Sequence, residues 1–115
     1  MKWVKVLPLA ELPEGERAVI QIEDKEILLL HYEGQIFAVQ SKCPHMGAPL
    51  KRAKIEAGAL VCPVHRSAFD LQTGDAKEWT PWPPVVGKLM GAISGEKALP
   101  TYPTRIEEGN VWVEI

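Results

Sequence analysis

Short runs rich in β-branched and aromatic residues recur along the chain, and turn residues interrupt them roughly every eight to twelve positions. This spacing is typical of all-β domains, whereas the 3.6-residue periodicity of amphipathic helices is scarce. The pattern therefore predicts an all-β fold. The predicted strands are Trp3–Leu7, Arg17–Ile22, Glu26–Tyr32, Gln35–Gln40, Ala59–Cys62, Ala68–Leu71, Tyr102–Glu107 and Asn110–Glu114.

Three pairs of predicted strands are separated only by the short turn sequences "EDK", "EGQ" and "EEGN". Glycine, Asp and Asn tolerate the positive φ that tight hairpin turns require, so we predict antiparallel hairpins at these points. Both ends of the chain are expected to lie in the sheet. The segment 77–103 is rich in proline, which argues against a central strand there. Within it, residues 84–93 are where we expect one short helix.

The size of the chain, 115 residues with 46% hydrophobic and 24% charged, predicts a single globular domain over 1–115. Its longest aliphatic run, Ile27–Leu30, is far shorter than the roughly 20 residues of a membrane helix. Prolines and acids stand where a signal peptide would have its apolar core. We therefore expect a cytoplasmic protein without a membrane partner.

The net charge of −2 is unevenly distributed along the sequence. The segment 42–66 holds one acidic residue, Glu56, and five basic residues, which are Lys42, Lys51, Arg52, Lys54 and Arg66. One interpretation is an ordinary mixture of solvated surface charges. The other is a basic rim, formed by these five residues, that steers an acidic partner towards a nearby site.

The only two cysteines occur in "KCPHMGAP" and "VCPVHRSAF", and each has a histidine close behind it. Written as one pattern, Cys43, His45, Cys62 and His65 form C-x-H-x16-C-x2-H. A cysteine and a histidine so close in sequence reach the same small volume only from a tight loop. The adjoining prolines and Gly47 favour such loops. The two stretches are therefore candidate metal-binding loops.

Several roles are compatible with a pair of cysteines and a pair of histidines. A purely structural role, or a catalytic thiolate–imidazole pair, gives no reason for the pairing to occur twice. Zinc suits four such ligands, but zinc modules usually pair cysteines with cysteines and histidines with histidines. An iron–sulfur cluster with two irons can take a cysteine and a histidine from each loop, although the spacing does not say which ligands share an iron.

These residues closely resemble the motif of Rieske-type [2Fe–2S] ferredoxins. The likeness extends over nearly the whole chain, including Phe69-Asp70, Thr73-Gly74 and the closing "LPTYPTRIEEGNVWVEI". The resemblance implies an antiparallel β-sandwich with a small two-loop cluster-binding subdomain at about 41–84. It also implies one [2Fe–2S] cluster per chain. Cys43 and Cys62 would bind one iron, and His45 and His65 would bind the other through Nδ1.

Departures from the family pattern concern the reduction potential. High-potential members have a disulfide between the two loops, and here its positions are Ala48 and Val64. Those members also have a serine and a tyrosine that donate hydrogen bonds to cluster sulfurs. The serine is kept as Ser67, but the tyrosine position is Phe69. Losing one donor disfavours the more negative reduced state, so we expect a low to intermediate value within roughly −150 to +300 mV.

The function implied is a one-electron carrier that passes electrons from a reductase to an oxygenase or another redox acceptor. The basic rim is the expected docking surface, with no nucleic acid as partner. The alternatives are a Rieske subunit of a larger enzyme, such as a nitrite reductase small subunit or a hydroxylase component, and a zinc-stabilised interaction module. No mononuclear-iron facial triad is encoded, so catalysis within the chain is not expected. The third histidine, His31, lacks a neighbouring cysteine and is not assigned to the site.

Overall fold

A computed structural model describes residues 2–44, 47, 49–63, 67–78 and 98–115 of the chain. Among them are eleven strands and one 3₁₀ turn, Leu9–Glu11. The strands are β1 (Trp3–Pro8), β2 (Arg17–Ile22), β3 (Lys25–Tyr32), β4 (Gln35–Gln40), β5 (Lys54–Glu56), β6 (Ala59–Val61), β7 (Ala68–Asp70), β8 (Ala76–Glu78), β9 (Thr101–Tyr102), β10 (Thr104–Glu107) and β11 (Asn110–Glu114).

Every pairing among the strands of the described residues is antiparallel, which confirms the predicted fold class. The helix expected at 84–93 lies outside the described residues. In the described part of the chain, no helix is long and apolar enough to cross a membrane.

The chain divides into two compact units. Unit 1 comprises Met1–Gln40 and Thr101–Ile115, and unit 2 comprises Ser41–Pro100. The start of unit 2 coincides with the residue at which the cluster-binding subdomain was predicted to begin. The single domain over 1–115 and the subdomain limits of 41–84 stay predictions.

Unit 1 is a sandwich of two sheets with strand orders β1-β11-β10 and β2-β3-β4-β9. The core residues come from both sheets, because alternate side chains of each strand point inwards. They include Ile22, Ile27, Leu29 and Ala38 from the larger sheet and Val113 from the smaller one. The core of unit 1 therefore lies between its two sheets.

The predicted hairpins of unit 1 are confirmed. In the β3–β4 turn, Glu33 has φ 51° and Gly34 has φ 76°. The β10–β11 turn has the same form at Glu108 and Gly109, with φ 51° and 76°. At the β2–β3 turn, Glu23 has φ 55°. The chain therefore reverses tightly at each turn sequence identified above.

The single strand predicted over Tyr102–Glu107 is wrong, because it is broken at Pro103. Before the proline, β9 pairs with β4 in the larger sheet, and after it β10 pairs with β11 in the smaller sheet. Pro103 has no N–H to donate to a ladder, although its carbonyl accepts from the Glu114 N–H at 3.0 Å. Proline thus marks the point at which the chain passes from one sheet of the sandwich to the other.

Unit 2 contains a four-stranded antiparallel meander of order β5-β6-β7-β8. The β5–β6 turn is formed by Ala57 and Gly58, with φ 50° and 76°. The Gly58 carbonyl accepts from the Leu71 N–H at 3.1 Å, which links this turn to the end of β7. Leu60 and Phe69 are fully buried and face each other across β6 and β7. This small core holds the strands that flank the second cysteine.

Candidate metal centre

Both cysteines lie in unit 2, and both are buried, form no disulfide and have 2% of their surface exposed. Cys43 follows β4 by three residues, and Cys62 follows directly on β6. A buried thiol without a disulfide partner is either inert packing or a ligand. The loops around the two cysteines help to distinguish these roles.

The first loop runs from Ser41 to Leu50 and is closed at three levels. At its base, the Leu50 N–H donates to the Ser41 carbonyl at 2.8 Å, and Lys42 and Pro49 form an isolated antiparallel bridge. Nearer the tip, the Gly47 N–H donates to the Cys43 carbonyl at 2.8 Å. The loop is therefore held by backbone hydrogen bonds around Cys43.

The second loop is shorter and connects β6 to β7. The Cys62 N–H donates to the Ser67 carbonyl at 2.8 Å, directly beyond the pairing of Val61 with Ala68. Ser67 is 1% exposed, so its hydroxyl lies in the interior next to the loop. Each cysteine thus takes part in a backbone hydrogen bond that closes its own loop.

The two predicted histidine ligands, His45 and His65, lie outside the described residues. By sequence, His45 lies between Cys43 and Gly47, and His65 lies between Cys62 and Ser67. Within the described residues, no three His, Cys, Asp or Glu side chains form a metal-binding group.

His31 lies in unit 1, where its Nδ1–H donates to the Leu12 carbonyl at 2.8 Å. Its Nε2 is 3.9 Å from a Glu14 carboxylate oxygen. The Glu14 carboxylate also accepts from the Gly34 N–H at 2.7 Å, so the histidine belongs to a contact between the 9–16 loop and the β3–β4 turn. His31 therefore has a structural role, as its sequence context indicated.

Asp70, which the sequence analysis named as part of the family likeness without a role, supports the turn after β7. Its carboxylate accepts from the N–H groups of Gln72 and Thr73 at 2.8 and 3.1 Å. Its carbonyl accepts from the Gly74 N–H at 2.7 Å. Asp commonly forms such turns with the backbone two or three residues ahead, so the D-x-x-T-G pattern was a usable signal. Asp70 fixes the turn that follows β7.

The basic rim is exposed at four of its five positions, which are Lys42, Lys51, Arg52 and Lys54, and Arg66 lies outside the described residues. The charge of the sequence is divided between the units. Unit 1 has five basic and ten acidic residues, whereas unit 2 has eight basic and five acidic residues. The cysteines therefore belong to the unit with the positive balance.

A family model described as "Rieske [2Fe-2S] domain" matches residues 2–103. The chain belongs to the Rieske [2Fe–2S] domain family. This confirms the resemblance inferred from the motif. Ala48 and Val64 stand at the positions of the inter-loop disulfide, and Cys43 and Cys62 form no disulfide.

Two similar proteins are ferredoxin components. The naphthalene 1,2-dioxygenase system ferredoxin component of Pseudomonas aeruginosa is 30% identical over 114 residues, which are 99% of this chain and 96% of that protein. The 3-phenylpropionate/cinnamic acid dioxygenase ferredoxin subunit of Photorhabdus laumondii is 29% identical over 116 residues, with coverage of 100% and 96%. The prediction of a Rieske-type electron-transfer protein is therefore confirmed.

A solved complex of reduced oxygenase and oxidized ferredoxin in carbazole 1,9a-dioxygenase contains a chain with the same fold. The TM-score is 0.73 at 20% identity, with 96% of this chain and 100% of the matched chain covered. The Rieske fold predicted from the sequence is thereby confirmed.

A Rieske domain implies a [2Fe–2S] cluster, and the described residues fit that group. Iron–sulfur clusters require thiolate ligands. The chain supplies two cysteines, neither consumed by a disulfide, in two loops closed by backbone hydrogen bonds. The burial of both thiols provides the dry surroundings that shield such a cluster from water.

Proposed function

We propose that the chain binds one [2Fe–2S] cluster and carries single electrons from a reductase to a terminal oxygenase. The observation that carries this proposal is the likeness to ferredoxin components over 96% of their length. Those relatives are named for dioxygenase systems with different substrates, so the proposal names the type of acceptor and leaves its substrate open.

The proposed ligands are Cys43 and Cys62 for one iron and His45 and His65 for the other. When bound, the cluster supplies a site that accepts and releases one electron. The two thiolates and two sulfides balance two ferric ions, whereas four thiolates would leave a net negative charge. The histidine pair therefore raises the potential relative to an all-cysteine site. A cytoplasmic location is part of the proposal, because the two thiols must stay free of disulfides.

The docking surface in this proposal is the face around the histidine ligands, with the basic rim at its edge. Lys51 and Arg52 are exposed beside the Leu50 end of the first loop, and Lys54 begins β5. Positive charge near the electron-exit site attracts an acidic acceptor and accelerates encounter. The negative balance of unit 1 disfavours approach of the same acceptor to that unit.

Ligand assignment is tested with His45→Gln, His65→Gln and the control His31→Gln. The purified wild type should contain two irons and two sulfides per chain and give the rhombic EPR signal of a reduced Rieske centre. The first two variants should lose that signal, while His31→Gln should retain it because its side chain contacts Leu12 in unit 1. A colourless wild type containing stoichiometric zinc would overturn the assignment.

Docking is tested by stopped-flow oxidation of the reduced protein by the terminal oxygenase of a naphthalene 1,2-dioxygenase system. The double substitution Lys51→Glu/Arg52→Glu should slow the reaction about tenfold at low ionic strength. The difference should shrink above about 0.5 M salt, where the Debye length falls to a few ångströms. Lys5→Glu, an exposed reversal in unit 1, is the control. Equal effects of both sets of reversals would exclude docking through the basic rim.

A further inference from the structure

The first cysteine loop depends on an unusual backbone conformation at Gly47. Its φ is +71°, in the left-handed region that glycine adopts far more readily than other residues. The residue is exposed, and a Cβ built on it would meet no heavy atom within 4 Å. Glycine is therefore needed here for the direction of the backbone and not for space.

Gly47 lies between the hydrogen bond at the tip of this loop and the backbone contacts at its base. Its N–H is bonded to the Cys43 carbonyl at 2.8 Å, while the chain that leaves its carbonyl reaches Pro49 and Leu50. Those two residues meet Lys42 and Ser41, on the other side of Cys43. A change of φ at Gly47 alters the direction of the outgoing chain relative to the bonded N–H, and so acts on the closure around Cys43.

We propose that Gly47 is a positioning residue for the cluster, whose left-handed backbone keeps the first loop closed and Cys43 in place as a ligand. The inference rests on the proposed ligand role of Cys43. In the proposed function Cys43 binds iron, and the inference adds that Gly47 acts on the cluster through Cys43. Gly47 itself contributes no side chain and no ligand atom.

The chain contains a matched control in the same unit. Gly58 has φ +76°, and a Cβ built on it would also meet nothing within 4 Å. It lies in the β5–β6 turn, four residues before Cys62, and its carbonyl accepts from Leu71. A substitution at Gly58 therefore carries a similar local conformational cost without acting on the closure around Cys43.

The test compares Gly47→Ala and Gly47→Asn with Gly58→Ala and Gly58→Asn, all loaded with cluster. The measurements are the rate of cluster loss to an iron chelator, the EPR line shape of the reduced protein and the thermal midpoint of the apoprotein. Gly47→Ala should accelerate cluster loss about five- to thirtyfold, the factor equivalent to the 1–2 kcal/mol cost of the left-handed conformation. Its EPR line should broaden, whereas Gly58→Ala should leave both properties near wild type.

Asparagine separates conformation from bulk, because it adopts positive φ more readily than alanine although it is larger. Cluster loss from Gly47→Asn should therefore be slower than from Gly47→Ala. The opposite order, or equal acceleration by the two Gly58 variants, would overturn the proposal. If either of these outcomes is found while the wild type contains iron and sulfide, only the positioning role is refuted. A wild type without the cluster refutes the proposed function itself.

Discussion

Phe69→Tyr adds one hydroxyl to a side chain that is 0% exposed and lies opposite Leu60 in the β6–β7 ladder. The family resemblance implies that high-potential members have a tyrosine at this position, whose hydroxyl donates to a cluster sulfur. The added electron makes the sulfurs more negative, so such a bond strengthens on reduction. We predict that the substitution raises the midpoint potential.

The size of the rise follows from the difference between two kinds of hydrogen bond. A bond to a charged acceptor contributes about 1.5–3 kcal/mol and a neutral bond about 0.5–1.5 kcal/mol. A difference of about 1–1.5 kcal/mol between the oxidised and reduced states corresponds to about 40–65 mV, at about 59 mV per tenfold change for one electron. Because Phe69 is fully buried, water does not compete for the new hydroxyl, and the full rise in potential is expected.

The assay is a spectroscopic redox titration of both proteins under identical salt and pH. The chain has one other phenylalanine, Phe37, which lies opposite Leu30 in unit 1. Phe37→Tyr is therefore the control and should leave the potential unchanged. If Phe69→Tyr leaves the potential unchanged and lowers the stability by about 1–3 kcal/mol, the hydroxyl is buried without an acceptor. That result would refute the reasoning that relates Phe69 to the cluster.

Three further predictions concern stability, each measured by denaturant unfolding of the apoprotein. Ala57→Gly should add about 1 kcal/mol, because alanine at φ 50° occupies a left-handed conformation that glycine adopts at little cost; a loss would contradict this. Thr104→Val should cost about 0.5–1.5 kcal/mol through loss of the 2.7 Å bond to the Ile36 carbonyl, and no change would refute that role. The Lys2 ammonium lies 2.6 Å from the Glu23 carboxylate and lowers the pKa of that carboxyl from 4.5. The pairing therefore stabilises the fold above about pH 4.5, and this stabilisation is lost as the pH falls through the lowered pKa of the folded state. Glu23→Gln should flatten that acid-side dependence, and an unaltered pH profile would contradict it.

The hairpins of unit 1 were predictable because their turn sequences carry strong local signals, with Gly34 and Gly109 at positive φ. The β5–β6 hairpin was missed because β5 is a short, charged strand and its turn begins with Ala57, which rarely adopts positive φ. The break at Pro103 was missed for a different reason. The flanking sequence has strand propensity on both sides, and only the tertiary structure decides which sheet each side joins.

The candidate site shows the same division between local and non-local information. Cys43 and Cys62 were identifiable from spacing alone, because the pairing of each with a histidine recurs. The backbone hydrogen bonds that close their loops could not be identified from the sequence. The Cys62 N–H, for example, donates to the Ser67 carbonyl, and every residue type has a backbone carbonyl. Gly47 was recognisable as a turn residue, but its relation to the Cys43 carbonyl required the structure.

The way in which the two loops are held bears on how firmly the chain retains a cluster. Each backbone hydrogen bond next to a cysteine contributes only about 0.5–1.5 kcal/mol net. The buried residues at the base of the loops, Leu50 and Ala68, contribute hydrophobic burial in addition. The described loops are therefore supported at their bases by buried side chains, while nearer the tip of the first loop the Cys43 carbonyl accepts from the Gly47 N–H. If the proposed cluster is bound by these loops, its retention would depend on their local backbone geometry, so substitutions that leave the sandwich of unit 1 intact should still be able to weaken cluster binding.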